Sequence, residues 1–270
     1  MRGASRVAFA EARDQLTETV ADAEVAATVG DELFAVVRLL DEEPGLRRAL
    51  ADYTRPREAR TGLAAELLGE RVSAATLDVV SGMAGARWSA PRDLADAAEE
   101  LAVLATAAAA GSAGNLDDVE DELFRFGRIA SGEPELLAAL ADQRLPDDHK
   151  RGLLDELLTG KVAPASLRLI TQAVINPRGR NLEANLADYA RLVAAWRQRL
   201  IAVVRVATEL SGRQRQRLTR ALSAIYGQDI QLNVVLDPRV VGGVSIQIGD
   251  ELIDGTLSSR LAELRRHWAA

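Results

Sequence analysis

A repeat at an offset of 90 residues constrains this chain more than any other feature. Asp31-Glu32-Leu33-Phe34 recurs as Asp121-Glu122-Leu123-Phe124, Glu43-Pro44 as Glu133-Pro134, and Ala49-Leu50-Ala51-Asp52 as Ala139-Leu140-Ala141-Asp142. Pro56, Gly62, Leu63, Glu66, Leu67 and Leu68 match Pro146, Gly152, Leu153, Glu156, Leu157 and Leu158. Residues 31–77 align with 121–167 without a gap at 21 identities in 47 positions. Helical composition alone can align leucines, but it does not bring two prolines and a glycine into the same register. A duplicated module is the better account.

Each copy reads as a set of short amphipathic helices. Leu33, Val36, Val37 and Leu40 fall at i, i+3, i+4 and i+7, one apolar stripe on a helix. Pro44 stands at a favoured first helical position, and Gly62 to Leu68 and Ala74 to Val80 continue the pattern after breaks. Gly111 to Asp118, with two glycines and an asparagine, reads as the junction between copies. A longer helix is expected over Leu182 to about Gln198, with Leu182, Leu186, Tyr189, Leu192, Val193 and Trp196 as its stripe. The period changes at Leu200. Ile201 to Ala207 is rich in β-branched residues, as a strand is; Ser211 caps a helix running to about Tyr226. Ile230 to Leu236 and Val244 to Ile248 read as further strands, Gly249-Asp250 as a turn, and Leu252-Ile253 as a return strand. Thr256 to Trp268 reads as a closing helix. The fold expected is mainly α: duplicated helical bundle modules, then a small α/β domain with a short sheet and a closing helix. The boundaries are 1–110 for the first module, 111–198 for the second and 199–270 for the α/β domain.

Composition narrows the function. Hydrophobic residues are 48% of the 270, near the globular average, and aromatics only 4%, which favours helices packed through alanine and leucine. The net charge of -7 argues against nucleic-acid binding. Of the 33 basic residues only Lys150 and Lys161 are lysines, the signature of a high-GC genome. The absence of cysteine excludes disulfides, thiolate metal sites and cysteine nucleophiles. No apolar run approaches the roughly 20 residues of a membrane span; Leu101 to Ala110 reads as a buried helix. No basic region followed by an apolar core opens the sequence, so a soluble intracellular chain is expected, any membrane association coming through partners.

Catalytic patterns are missing. There is no Gly-x-x-x-x-Gly-Lys-Ser/Thr loop and no Gly-x-Gly-x-x-Gly after a strand. His149 and His267 lie far apart without a second ligand at metal spacing, and read as surface histidines. Asp117-Asp118, Glu120-Asp121-Glu122 and Asp147-Asp148 are explained by helix starts, where negative charge is favoured. Trp88, Trp196 and Trp268 read as core or interface anchors. No catalytic, cofactor-binding or metal-binding residues, and no cofactor, are assigned.

The segment from Val234 to Leu261 carries more specific information. Asp237-Pro238 marks a turn out of a strand, Gly242-Gly243 permits backbone angles that a Cβ blocks, and Asp254 with Gly255 suits the entry to the last helix. Each is an ordinary turn or cap residue, and their joint spacing is what goes further. That spacing resembles the C-terminal signature of the F-type ATP synthase delta subunit family, the oligomycin-sensitivity-conferring protein of mitochondria. The fit runs through Asp237, Val240, Gly242, Gly243, Val244, Ile246, Ile248, Gly249, Ile253, Asp254, Gly255, Thr256, Arg260 and Leu261. Asn176 to Arg180, Ile201 to Leu210 and, at the N-terminus, Ala4 to Ala12 are also similar to the family. The resemblance covers residues 121–270 well. The first 110 depart from the usual shorter member, and the repeat resembles the long delta subunits of actinobacteria.

The resemblance implies a non-catalytic part in the peripheral stalk, on the cytoplasmic face of the cell membrane. The helical bundle would grip the N-terminal segments of the alpha subunits and the C-terminal domain would dock the membrane-anchored b subunits, so that the catalytic head resists rotation. Asp237, Gly242, Gly243, Gly249, Asp254, Gly255 and Arg260 would then be structural signature residues. The alternative is a helical-repeat adaptor unrelated to ATP synthase.

Overall fold

The computed structural model describes residues 1, 3–20, 22–142, 144–199, 201–208, 210–226, 230–237, 240, 242–248 and 251–254. The chain divides into two compact units, Met1–Ala194 and Ala195–Ala270.

The first unit is built from helices: α1 (Ala4–Thr19), α2 (Ala23–Glu42), α3 (Pro44–Ala51), α4 (Arg57–Leu68), α5 (Ala74–Gly85), α6 (Pro91–Ser112), α7 (Leu116–Gly132), α8 (Pro134–Ala141), α9 (Asp147–Leu158) and α10 (Pro164–Ile175). The helix α11 (Leu182–Arg199) begins in it and runs past its boundary. Start signals act where the sequence places them. Pro44, Pro91, Pro134 and Pro164 each open a helix, where the missing N–H costs nothing. The Asp22 carboxylate accepts from the Glu24 and Val25 amides at the head of α2. Leu33, Val36, Val37 and Leu40 are all buried, as the stripe requires.

The 90-residue repeat is also a repeat of structure. The bounds of α3, α4 and α5 shifted by 90 are the bounds of α8, α9 and α10. Side-chain contacts repeat as well. Glu32 accepts from the backbone N–H of Ser73 at the head of α5, and Glu122, 90 residues on, accepts from the N–H of Ala163 at the head of α10. Asp52 accepts from the Thr54 amide and hydroxyl, and Asp142 accepts from the Arg144 amide and side chain. Those bonds hold both carboxyls below their usual range. Arg60 is buried and donates to the carbonyls of Ala84, Gly85 and Ala86 at the end of α5, and its counterpart Lys150 is buried too.

The two copies overlap in α6. Shifted by 90, α1 falls on residues 94–109, inside α6. Shifted the other way, α11 falls on 92–109, again inside α6. This helix therefore closes the first copy and opens the second. It packs against α1, α2 and α3 of one and α7 and α10 of the other. A helix covered on all sides is expected to be apolar all round. From Leu94 to Ala110 only Asp96, Glu100 and Ala109 escape the buried class. Alanine dominates because small side chains let neighbours approach. At the crossing with α2, a Cβ on Gly30 would lie 2.8 Å from Thr106 Oγ1 and 3.3 Å from the Thr106 backbone nitrogen.

Among its described residues the second unit holds a four-stranded sheet with a helix against it. The strands β1 (Ile201–Val206), β2 (Gln231–Leu236), β3 (Val244–Ile248) and β4 (Glu251–Asp254) run in the order β2-β1-β3-β4. The helix α12 (Gly212–Tyr226) connects β1 to its parallel neighbour β2, as a parallel pair requires a crossover. β3 is antiparallel to β1 and forms a hairpin with β4. Period-two alternation buries Ala202, Val204 and Val206 of β1 with Ile246 and Ile248 of β3, against Leu222 of α12 and Ile230. Leu218 and Tyr226, four residues either side of Leu222, pack on the same core. Ser211 and Gln214 form a reciprocal capping box: the Ser211 N–H donates to Gln214 Oε1 at 2.8 Å and the Gln214 N–H to Ser211 Oγ at 3.3 Å.

Candidate functional site: a buried ion-pair centre and the signature turn

A buried cluster of charge in the helical unit lies under the loop between α10 and α11, Asn-Pro-Arg-Gly-Arg-Asn. Arg178 and Gly179 take successive left-handed conformations (φ 50° and 77°), closed by the Arg180 N–H donating to the Pro177 carbonyl at 2.9 Å. A non-glycine residue in that region costs on the order of 1 kcal/mol and persists where its surroundings hold it. Here the side chain is the anchor, only 6% exposed. Its guanidinium meets Asp41 of α2 at 2.7 Å, Asp96 of α6 at 2.9 Å and Glu99 of α6 at 2.6 Å. Arg180 donates to the other oxygen of Glu99, to which the Tyr189 hydroxyl of α11 also donates at 2.7 Å. The Tyr189 ring leans on Phe34 of α2, centroids 6.3 Å apart. A second tie, Arg168 of α10 to Asp31 of α2 at 2.6 Å, joins α10 to α2.

Electrostatics explain why such a cluster stands. Burial alone would lower the Arg178 guanidinium, but the carboxylates of Asp41 and Glu99 outweigh it and hold the group above its ordinary value. Burial raises the Tyr189 phenol, and the Glu99 charge raises it further, so it stays a donor. Burial also pushes the Glu100 carboxyl up to about 7, with Asp96 and Glu99 adding to the effect. These donors and acceptors are spent on one another across α2, α6 and α11, a cross-link rather than a constellation with a free nucleophile. The sequence marks Asn176 to Arg180 by its resemblance to the family and places Tyr189 on an apolar stripe. It does not mark Asp41, Asp96 or Glu99, whose link to Arg178 spans 79 to 137 residues of chain.

The signature residues of the second unit lie elsewhere. The Asp237 N–H donates to the Val206 carbonyl at 2.9 Å, extending the β1–β2 pairing past the end of β2. Its own carbonyl accepts from Val240, whose carbonyl accepts from Gly242. Gly242 and Gly243 have φ of 67° and 80°, left-handed values that glycine adopts without penalty, and they lead into β3. Asp254 ends β4 opposite Ser245. Asp237, Gly242 and Gly243 thus share the β2–β3 connection. Gly249, Gly255 and Arg260, like the expected helix Thr256 to Trp268, lie outside the described residues.

Among the described residues no three His, Asp or Glu side chains are grouped to hold a metal ion. No described helix is long and apolar enough to cross a membrane. His149 is exposed, and Trp88 and Trp196 are buried.

Comparison with known proteins adds the family. The sequence model described as ATP synthase delta (OSCP) subunit matches residues 102–268, beginning inside α6. The ATP synthase subunit delta of Thermobifida fusca (strain YX) is 51% identical over 269 residues, covering 100% of both chains. That of Streptomyces griseus is 48% identical over 270 residues, again 100% of both. That of Acidothermus cellulolyticus is 46% identical over 274 residues, also 100% of both. The first copy, which precedes the family match, is therefore shared with these relatives. A chain of the Toxoplasma gondii mitochondrial ATP synthase hexamer aligns with 62% of this chain and 97% of its own at 17% identity, with a TM-score of 0.29. The family match over more than half the chain and the full-length relatives agree: this chain belongs to the ATP synthase delta (OSCP) subunit family.

Proposed function

We propose that this chain is a non-catalytic peripheral-stalk subunit of the F-type proton-translocating ATP synthase. Its helical part grips the N-terminal segments of the alpha subunits, and residues 199–270 dock the membrane-anchored b subunits. It is held at the cytoplasmic face of the cell membrane through these partners alone. Within this reading, residues 1–110 and 111–198 are two helical modules, the second a repeat of the first, and α6 near their boundary packs against helices of both. Asp237, Gly242, Gly243, Gly249, Asp254, Gly255 and Arg260 shape the docking domain and do no chemistry.

The observation that carries the reading, beyond family membership, is how the helical unit uses its buried charge. Arg178, Arg180, Asp41, Asp96, Glu99 and Tyr189 tie the two copies together. A protein that must hold a head against torque needs internal ties of this kind. Capture experiments test the assignment of partners. A chain lacking 199–270 is expected to lose the soluble part of b while retaining an alpha N-terminal peptide. Undiminished capture of b by that shortened chain would overturn the assignment of the C-terminal unit.

A further inference from the structure

The two units differ sharply in charge. Residues 1–194 hold 22 basic and 33 acidic residues, whereas residues 195–270 hold 11 basic and 7 acidic. Within the second unit the basic charge is concentrated on α12, whose sequence Gly-Arg-Gln-Arg-Gln-Arg-Leu-Thr-Arg-Ala-Leu-Ser-Ala-Ile-Tyr has four arginines and no acid. At 100° per residue Leu218, Leu222 and Tyr226 form the side turned to the sheet, and Arg213, Arg217, Arg220 and Ala224 form the opposite row. Arg213, Arg215, Arg217 and Arg220 are all exposed. Ile225, beside the row, is 71% exposed.

This arrangement works against the helix in isolation. Like charges at i, i+4 and i+7 repel. Arginines in the first turns also oppose the helix dipole, which favours acids there. Of the other described helices, seven follow that preference, α2, α4, α6, α7, α8, α9 and α11 each carrying an acid in the first turn, while α1, α3, α5 and α10 carry none there. A row held against both effects, and exposed, suits a partner that brings negative charge to it.

We infer that the outward row Arg213, Arg217 and Arg220 of α12 is the electrostatic docking face for an acidic helical segment of the membrane-anchored subunit. This rests on the reading that the C-terminal unit docks b, and it adds where and by what chemistry. The row is straight and about 10 Å long, the length over which a second helix presents acids at matching spacing. Ala224 continues the row without bulk, and Ile225 offers an apolar contact at its edge. A lipid surface fits less well. An interfacial helix needs a free apolar face, and that of α12 is committed to the sheet through Leu218, Leu222 and Tyr226.

The test uses the full-length chain and the soluble part of b. Wild-type chain is expected to bind it with an affinity that falls as salt rises. The triple variant Arg213→Glu, Arg217→Glu, Arg220→Glu is expected to bind roughly tenfold more weakly or worse, and the Gln triple variant, which removes charge but keeps helix propensity, several-fold more weakly. Arginine substitutions at the facing acids of b restore binding to the Glu triple variant. If wild type does not bind b, the docking reading itself fails. If wild type and both variants bind b equally, the docking reading stands and the α12 face is wrong. If the variants instead lose binding only to vesicles of phosphatidylcholine and phosphatidylserine, the face belongs to a membrane contact and the inference is overturned.

Discussion

Arg178 combines a left-handed backbone, a side chain 6% exposed and three carboxylates within 3 Å. Removing it leaves those carboxylates without their central counter-charge. Breaking one side of a buried pair costs about 3–5 kcal/mol, far more than a surface bridge is worth. Arg178→Ala is expected to destabilise the helical unit by that order, read as a lowered urea midpoint, whereas breaking the exposed Arg144–Asp142 pair should barely move it. Glu100 makes a pH prediction of definite sign. Its carboxyl is raised to about 7 by burial, so the folded state keeps a proton that the unfolded chain has already released. Stability contributed by this group is full below about 4.5 and falls as pH rises towards 7. Glu100→Gln should remove that slope and stabilise the protein at pH 8 by on the order of 1 kcal/mol, as read by urea melts across pH. The resemblance to the family is what singles out Asn176 to Arg180 in the sequence. It could not give the partners, because an acid on α2 or α6 looks like any solvated acid until the fold brings it near.

Helix stripes were legible element by element, since Leu33, Val36, Val37 and Leu40 lie in the core at the spacing that named them. The dual membership of α6 was not. The likeness of α1 to α6 lies outside the aligned 47 positions, and an alanine-rich helix has little side-chain pattern to compare. Because α6 serves both copies, neither copy can lose its core without the other. Leu33→Ala in the first copy and Leu169→Ala in the second, both fully buried, should each cost about 2–5 kcal/mol and shift one shared transition. Two separable transitions within 1–194 would contradict the sharing. Glycines sort by their surroundings. Gly30→Ala places a Cβ against Thr106 and should destabilise by about 1 kcal/mol despite better helix propensity. Gly62 and Gly152, repeat-related and open within 4 Å, should gain about 0.5–1 kcal/mol on the same change, measurable as a raised Tm.

At the scale of the molecule, two compact units of unequal size predict two unfolding events. Calorimetry of the full chain should resolve a larger transition from Met1–Ala194 and a smaller one from Ala195–Ala270, whose core centres on seven buried residues. The change from helical to strand periodicity falls at Leu200, whereas the units part between Ala194 and Ala195, inside α11; the strands Ile201–Val206 and Val244–Ile248 fall where β-branched alternation put them. Strand order β2-β1-β3-β4 was not legible, because alternation gives faces and not neighbours. The continuous α6 has one more consequence. A tandem array joined by a linker gives under load at the joint, and bending collects there. Here the two copies have no joint: the stretch that corresponds to both, residues 94–109, lies inside one unbroken helix of 22 residues, about 33 Å long. A sideways load on one copy passes through a shared rod, and the pair deflects as one strut whose stiffness is set by core packing.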